Sequence, residues 1–324
     1  MPARSALLPA SGTSPRPSRR SPVVAAAGAG LLAPILLAGT LATAPTAAAT
    51  SKVKCDASGS PTVAVGRYDP IVSHNRKGAM HEHQFFGNKS WLKLRNPNTA
   101  NYGDLAGHKT NCRVSHDKAG YWMPTLRYIS GPKKGKLIPA QQFTAYYRPG
   151  YGLGKDFGPA LAFPADTRLV SSPRYAAWTC GEKSGARSKP VNAIPNCTGL
   201  SGQPGLTLTA HIDLPNCWDG VMPHHSRGQV GDTRDNRHYA YAVNHRCPAK
   251  FPKMMTHIRE TVQFPYVGNG RDVALTSDKM AGTSDGRSLH GDFWNTWDQE
   301  FFNKTFLQRC VRNASLFTAK MCEP

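Results

Sequence analysis

Histidines placed two residues from another histidine or from an aspartate are the features of this sequence best suited to chemistry. His81-Glu82-His83 puts two imidazoles two positions apart, so on a strand both point to one side, roughly 7 Å from each other. His211-Ile212-Asp213 and His290-Gly291-Asp292 repeat that spacing. Two imidazoles and a third ligand from a neighbouring strand can bind zinc or another divalent metal ion. A His–Asp pair can instead orient an imidazole as a general base.

Aromatic neighbours distinguish the first and last of these three pairs from the middle one. Phe85-Phe86 follows the first pair and Phe293-Trp294 follows the last, and aromatic rings beside a polar cluster suit either sugar stacking or a hydrophobic core. We therefore expect function at the first and last pairs. The pair His211/Asp213 is interpreted as the solvent-facing side of a strand. Five more histidines are interpreted as surface, loop or hydrogen-bonded residues: His108, His116, His224, His225 and His257.

Several well-known mechanisms can be set aside. The chain contains no Gly-x-Ser-x-Gly, no His-Glu-x-x-His and no Walker loop. A copper monooxygenase of the histidine-brace kind needs histidine as its first mature residue, whereas the first mature residue expected here is Thr50.

That expectation comes from the first 49 residues, which have the features of a secretory signal peptide. Arginines precede an apolar run over residues 23–44, and Ala47-Ala48-Ala49 gives a small-residue cleavage site before Thr50. Prolines at 34 and 45 argue against a membrane anchor. We expect cleavage near Ala49, secretion of residues 50–324 as a single domain, and no membrane span after cleavage. Two packed subdomains would leave the same sequence pattern.

All eight cysteines follow this segment, and an even number in an exported chain predicts four disulfides. Cys180–Cys197 and Cys310–Cys322 are the local pairs favoured by spacing. The cysteine spacings are too long and irregular for a zinc finger or zinc ribbon.

Length and charge limit the class of protein to which this chain can belong. The mature chain of 275 residues can bury a full core, and it carries 36 basic against 20 acidic residues, a net charge of +16. That charge favours a polyanionic or polysaccharide surface as partner, nucleic acid included, and says nothing about the fold. We expect a monomer.

The elements that must position the histidines are mainly strands. Short runs between Gly, Pro and Asn clusters predict a single-domain β-sandwich or jelly-roll-like fold with long disulfide-tied loops. Alternation of apolar and polar residues is clearest at 142–147, 206–214 and 257–264. Thr296-x-x-Gln299 is a capping-box pattern, and apolar residues then recur every four positions through Cys310, which predicts a short C-terminal helix packed on a sheet.

Five motifs in this chain resemble, in the same order, those of the secreted DUF1996 family, a domain of unknown function. They run from about Asp69 to Cys310 and cover most of the mature chain: His81-Glu82-His83-Gln84-Phe85-Phe86-Gly87-Asn88, Tyr121-Trp122-Met123-Pro124-Thr125-Leu126, Leu214-Pro215-Asn216-Cys217-Trp218-Asp219-Gly220, His238-Tyr239-Ala240-Tyr241 and Leu289-His290-Gly291-Asp292-Phe293-Trp294. The resemblance implies a shared set of ionisable residues: His81, His83, Asp219, His238, His290 and Asp292. Leu214 and Tyr239 depart from the Phe and Met that are usual in the family.

Three functions fit these residues. In the first, the protein acts on cell-wall or extracellular polysaccharide: Asp219 and Asp292 are the catalytic carboxylates, and His238 helps to orient them. Three tryptophans then stack on sugar rings: Trp218, Trp294 and Trp297.

In the second, the protein is a metal-dependent phosphodiesterase or nuclease-like hydrolase, with His81, His83 and His290 ligating one divalent ion and Asp292 as fourth ligand or water activator. In the third, it is a non-enzymatic binding protein of the cell wall or of polysaccharide, and its histidines are structural.

Overall fold

Strands with alternating apolar residues build most of the chain. The computed structural model describes residues 51–57, 59–78, 81–149, 160–181, 190–198, 207–221 and 238–312. The strands in these ranges are β1 Ser51–Lys54, β2 Ala64–Gly66, β3 His83–Gly87, β4 Gly120–Pro124, β5 Leu126–Tyr128, β6 Leu137–Ile138, β7 Gln142–Arg148, β8 Arg168–Val170, β9 Ala176–Cys180, β10 Leu208–Asp213, β11 Cys217–Trp218, β12 Tyr239–Ala240, β13 Lys253–Met254, β14 His257–Phe264, β15 Val273–Leu275 and β16 Asp292–Trp294. Helical segments are α1 Tyr102–Leu105, α2 Gln299–Phe301 and single 3₁₀ turns at Lys89–Leu92, Pro97–Thr99, Pro173–Tyr175 and Gly270–Asp272.

Two five-stranded antiparallel sheets form the framework. The first has the order β1-β7-β14-β10-β9 and the second the order β2-β3-β4-β16-β8. Two three-stranded sheets accompany them, with the orders β12-β11-β13 and β15-β5-β6. The described residues all fall in one compact unit, and the predicted mainly β, sandwich-like fold is confirmed.

The main hydrophobic core lies between the two large sheets. Phe86 of β3 stacks on Phe143 of β7 with ring centroids 4.4 Å apart, and Tyr121 of β4 lies 5.0 Å from the same Phe143 ring. All three side chains are fully buried, and burying a side chain of this size stabilises the fold by about 1.5–3 kcal/mol. The predicted alternation in β7, β10 and β14 is confirmed, because their apolar positions face this core.

A second, smaller core covers the opposite side of the second sheet. Its centre is aromatic, with Trp122 of β4 5.6 Å from Phe85 of β3 and 5.7 Å from Trp91. Because side chains alternate between the two sides of a strand, neighbouring residues such as Phe85 and Phe86 belong to different cores. The second sheet is therefore buried on both sides, as the fully buried β3 and β4 show.

The predicted C-terminal helix is present and differs at its start. Asp298 is the N-cap residue, accepting a hydrogen bond from the Phe301 amide at 3.1 Å. The capping-box pattern predicts Thr296 as the N-cap, but the Thr296 hydroxyl donates instead to the Lys118 carbonyl. After Phe301 the helix continues as a wider π-helical segment, Phe302–Val311, and its Phe306 ring packs 5.2 Å from Tyr147 of β7.

Three disulfides join described cysteines: Cys55–Cys112, Cys180–Cys197 and Cys217–Cys247. The predicted Cys180–Cys197 pair is confirmed. Cys310 is also disulfide-bonded, but its predicted partner Cys322 lies outside the described residues, as does the signal-peptide segment. Within the described part of the chain, no helix has the length and apolar character needed to cross a membrane.

Candidate metal centre

Strand register brings three of the predicted histidines together on the side of the second sheet that carries the smaller core. His83 begins β3 opposite Pro124 of β4. His290 stands two residues before Asp292, which lies opposite Trp122 of β4. Carrying this register two residues back from Asp292 brings His290 to the level of Pro124, so His83 and His290 lie on the two flanks of Pro124. His81 lies just before β3 and turns its ring toward both.

The three rings form a tight group. Ring centroids are 4.3 Å apart for His81 and His83, 5.2 Å for His81 and His290, and 5.9 Å for His83 and His290. One nitrogen from each ring lies within 4.8 Å of the others. Two Nε2 atoms, those of His81 and His290, are 3.3 Å apart. Three imidazole nitrogens at such separations can share a single metal ion, which takes nitrogen ligands at about 2.0–2.1 Å when it is zinc.

Backbone carbonyls fix the orientation of two of the rings. His83 Nδ1 lies 2.7 Å from the Tyr68 carbonyl oxygen, and His290 Nδ1 lies 2.8 Å from that of Ser288. A carbonyl can only accept, so each Nδ1 carries the hydrogen and each Nε2 of the neutral ring keeps its lone pair. Metal-ligating histidines usually hold their second nitrogen in this way. Nε2 of His83 is buried with no hydrogen-bond partner among the described residues.

Burial keeps the rings uncharged at neutral pH. Desolvation, with smaller contributions from the neighbouring His290 and Arg67, lowers the pKa of His81 to about 4. Desolvation also lowers the pKa of His83 well below its usual value and lowers that of His290. Neutral imidazoles are the form that binds metal ions, so no proton has to leave before a metal binds at pH 7.

The three rings differ in how far they are exposed. His83 is fully buried, whereas His81 and His290 are half-buried. In the absence of a metal, a proton on one Nε2 of the His81–His290 pair could join these two rings by a hydrogen bond. That arrangement would still leave Nε2 of His83 unpaired. One ion bound by all three rings would satisfy it, and three protein ligands with an open side are typical of catalytic metal sites.

Asp292 lies near this group without belonging to it. Its side chain is fully buried, and both carboxylate oxygens have no hydrogen-bond partner among the described residues. Desolvation, reinforced by Asp69 and Glu260, raises its pKa well above the usual value. Its oxygens are not among the ligand atoms that cluster within 4.8 Å. The geometry therefore gives Asp292 no place as a fourth ligand, and its burial does not fit an acid that reaches substrate.

Asp219 and His238 form a separate pair on the small sheet that contains β11 and β12. His238 Nδ1 lies 2.7 Å from Asp219 Oδ2, and the two side chains are 30% and 17% exposed. Trp218, beside Asp219, is half-buried and has the Lys253 ammonium 5.0 Å from its ring. In the described part of the chain, no hydrogen bond or ion pair joins Asp219 or His238 to the three histidines.

A family model, the domain of unknown function DUF1996, matches residues 69–297 of this chain. The chain belongs to the DUF1996 family. The matched range contains both the three-histidine group and the Asp219–His238 pair, which confirms the resemblance carried by the five motifs. Comparisons with curated proteins and with solved structures give no match.

Two tryptophans considered as sugar-stacking residues are core residues of this DUF1996 domain. Trp294 is fully buried, with its Nε1 donating to Asp166 at 2.6 Å and the Arg168 guanidinium 3.8 Å above its ring. Trp297 is 1% exposed and donates to the Tyr147 hydroxyl at 3.0 Å. Neither ring offers a face to a sugar, so we assign both to packing. Trp218 is the one of the three that stays half-buried.

Other histidines of the DUF1996 domain occupy structural positions. His211 lies 2.9 Å from the Thr179 hydroxyl on the outer side of the first sheet. Asp213 binds Arg259 in a bidentate ion pair and also contacts His257. His116 pairs with Asp298, and His224 and His225 lie outside the described residues.

Cys55, Cys112 and Asp117 also lie close enough together to suggest a metal site. Both sulfurs are joined in a disulfide, and thiolates are the form of cysteine that binds metals. This second group is therefore not a metal centre in the oxidised protein.

Buried acids are the residues that sequence reasoning missed. Glu260 is fully buried in β14 among apolar residues that face the main core, and its carboxylate reaches the place where a side chain on Gly291 would be. Asp69 is buried beside the second core, and desolvation raises its pKa to about 6. The signal for Glu260 was present in the alternation, since Ile258, Glu260 and Val262 occupy the inward positions of one strand.

Proposed function

We propose that this DUF1996 protein is a secreted metal-dependent hydrolase in which His81, His83 and His290 hold one divalent ion, and that its substrate is a phosphodiester. The observation that carries the proposal is the convergence of three neutral imidazoles, two of them oriented by carbonyl groups. A divalent ion at such a site supplies Lewis acidity and lowers the pKa of a bound water to about 7.

The chain's own residues define the rest of the site. Tyr68 and Ser288 hold the Nδ1–H groups of His83 and His290, so that both Nε2 lone pairs converge. The half-buried rings of His81 and His290 leave one side of the group open for substrate. The Arg67 cation interacts with His81 and favours an anionic group there, which agrees with the basic excess of the chain.

Secretion belongs to the same proposal. Residues 1–49 have the pattern of a signal peptide removed near Ala49, and three disulfides among the described residues suit an oxidising compartment. Such a protein would meet phosphodiesters outside the cell.

A second candidate is favoured by the Asp219–His238 hydrogen bond. It fixes His238 Nδ1–H on the carboxylate and leaves Nε2 as a general base next to the half-buried Trp218. In metal-free hydrolysis of extracellular polysaccharide, such a base would take a proton from the attacking water and, as the imidazolium, return it to the leaving oxygen. The third alternative, a non-enzymatic binding protein, requires neither site to turn over a substrate.

The test begins with metal content. Protein prepared without chelator or metal-affinity tag should contain about one equivalent of a divalent metal by elemental analysis, and it should hydrolyse bis(4-nitrophenyl) phosphate until a chelator is added. His83→Ala and His290→Ala should each lose the metal and at least 100-fold in rate, because each removes one of three ligands. His116→Ala is the matched control, since this histidine pairs with Asp298 elsewhere.

The outcomes separate the candidates. Protein that binds no metal stoichiometrically contradicts the proposal. Chelator-resistant release of reducing ends from cell-wall polysaccharide, abolished by Asp219→Asn, would support the second candidate instead. Polysaccharide binding without turnover in any of these variants would support the binding protein.

A further inference from the structure

A rigid, strongly basic hairpin lies beside the histidine segment. It joins β5 to β6, and residues 129–136 are all exposed. Gly131 and Gly135 adopt φ values of 67° and 81°, which side chains other than glycine rarely accept. The turn is closed by backbone hydrogen bonds from Gly135 N to the Tyr128 carbonyl at 2.8 Å and from Lys136 N to that of Lys133 at 2.9 Å.

The positive charge of this hairpin is only partly balanced by neighbouring acids. Lys133, Lys134 and Lys136 take part in no ion pair within the described ranges, and residues 126–138 include no acid. The two neighbouring acids are already engaged. Glu82 pairs with Arg127, the Asp272 carboxylate accepts from the Ser130 hydroxyl at 2.6 Å, and the Asp272 backbone carbonyl accepts from the Ile129 amide. Arg127 and the three lysines outnumber these two acids by four to two.

Arg127 ties the hairpin to the candidate metal centre. Its guanidinium makes a bidentate contact with Glu82, with Nε 3.0 Å from Oε2 and Nη2 2.8 Å from Oε1, and its Nη1 donates to the Gly135 carbonyl at 2.6 Å. Glu82 is the residue between His81 and His83. One side chain therefore holds the turn of the hairpin and the segment that carries two of the three histidines.

From this arrangement we infer that the hairpin at residues 129–136, with Lys133, Lys134 and Lys136, is the docking surface for a flexible phosphodiester chain that the three-histidine site then cleaves. The inference rests on the proposed function for the cleavage step and stands without it for the docking step. The chain would be recognised by its phosphates, whatever groups they link.

The cations offered are lysines, and the contact of Arg127 with Glu82 places them beside the site proposed to cleave phosphodiesters. Lysine ammonium groups bind phosphate oxygens as point charges, without the bidentate geometry of arginine. The arginine of the hairpin is engaged with Glu82 and Gly135, so the exposed surface presents lysines. Because the turn is already closed by hydrogen bonds, its backbone loses little conformational entropy when the three ammonium groups bind successive phosphates of a flexible chain.

The experiment measures binding to an oligothymidylate and to an abasic phosphodiester oligomer of equal length by fluorescence anisotropy, over a range of salt concentrations. The triple variant K133Q/K134Q/K136Q should bind both at least about tenfold more weakly at 0.1 M salt. The negative slope of log K against log salt should become shallower by about 2, because each of the three lost phosphate contacts on a single strand contributes about 0.7. The substituted side chains are exposed, so the fold is preserved.

A second triple variant, K93Q/K109Q/K250Q, is the matched control. It removes the same charge from exposed lysines outside the hairpin, and its affinity and slope should stay close to wild type. Equal losses in the two triple variants would overturn the inference in favour of general charge attraction. So would equally tight, hairpin-dependent binding of polygalacturonate, or binding of the oligothymidylate without the abasic oligomer.

Metal-free protein separates this inference from the proposed function. Docking uses lysines, so chelator-treated wild type should bind the oligomers as tightly as untreated protein. If the hydrolase proposal fails, this hairpin-dependent binding remains measurable. If docking fails, the metal content and the turnover of the small diester bis(4-nitrophenyl) phosphate still test the hydrolase.

Discussion

At the scale of single residues, burial sets the chemistry of the ionisable groups. The same desolvation that lowers the pKa of His81 to about 4 raises the pKa of Asp69 to about 6, because burial disfavours the charged form of either group. Histidines and carboxyl groups around the second sheet are therefore both driven toward neutrality. A neutral site attracts a metal ion through lone pairs more than through net charge.

Glu260 gives a residue-scale prediction on stability against pH. Its folded pKa lies well above that of the unfolded chain because of burial, so the folded state holds a proton that the unfolded state releases as pH rises above about 4.5. Stability must then fall with rising pH, by up to about 1.4 kcal/mol per pH unit for this one proton. Glu260→Gln, which cannot ionise, removes this loss.

Urea denaturation at pH 4 and pH 8 tests this predicted effect of Glu260 on stability. The wild type and Glu260→Gln should differ little at pH 4, and the variant should be the more stable at pH 8. Glu300→Gln is the control, because Glu300 is exposed and pairs with Lys304 on the helix. Identical pH profiles for wild type and Glu260→Gln would show that a partner stabilises the ionised carboxylate.

At the scale of elements, the two-residue spacing of apolar residues and of histidines was the most informative pattern in the sequence. Strands β7, β10 and β14 follow their apolar alternation. The pair His81/His83 meets a third histidine because β3 and β16 flank the same strand, β4. The sequence could not reveal that pairing, since strand order depends on contacts between residues far apart in the chain. For the same reason the burial of Trp294 and Trp297, which fill two different cores, could not be read from their aromatic neighbours.

The C-terminal helix gives the prediction for this scale. Asp298→Ala removes the side chain that accepts from the Phe301 amide, and loss of such a cap costs about 1 kcal/mol. Asp298→Asn retains a side-chain oxygen that accepts this hydrogen bond, so it should lose less stability than Asp298→Ala. Thermal or urea denaturation ranks the two variants. Equal losses would point to the Asp298–His116 contact as the source of stability, in place of the cap.

At the scale of the whole molecule, the three disulfides whose cysteines are both among the described residues close loops of different lengths. The sequence separations are 57 residues for Cys55–Cys112, 30 for Cys217–Cys247 and 17 for Cys180–Cys197. Cross-links that close longer loops restrict the unfolded chain more. The chain-entropy relation predicts that each of these disulfides stabilises the folded state by roughly 3–4 kcal/mol.

Paired Cys→Ser variants should therefore lose stability in the order of loop length, with Cys55–Cys112 losing the most, by about 1 kcal/mol more than Cys180–Cys197. Denaturant unfolding of the three double variants measures the order. The reverse order would mean that local packing around each bridge outweighs chain entropy.

The second sheet uses the two sides of its strands for different purposes. One side faces the main core through residues such as Phe86 and Phe293, and the other carries His83 and His290 beside the smaller core. Evolution or design can thus alter one surface while conserving the other. Exchanging His290 for aspartate or cysteine, to change which metal the site prefers, would alter a single layer of the protein and leave the packing that specifies its fold intact.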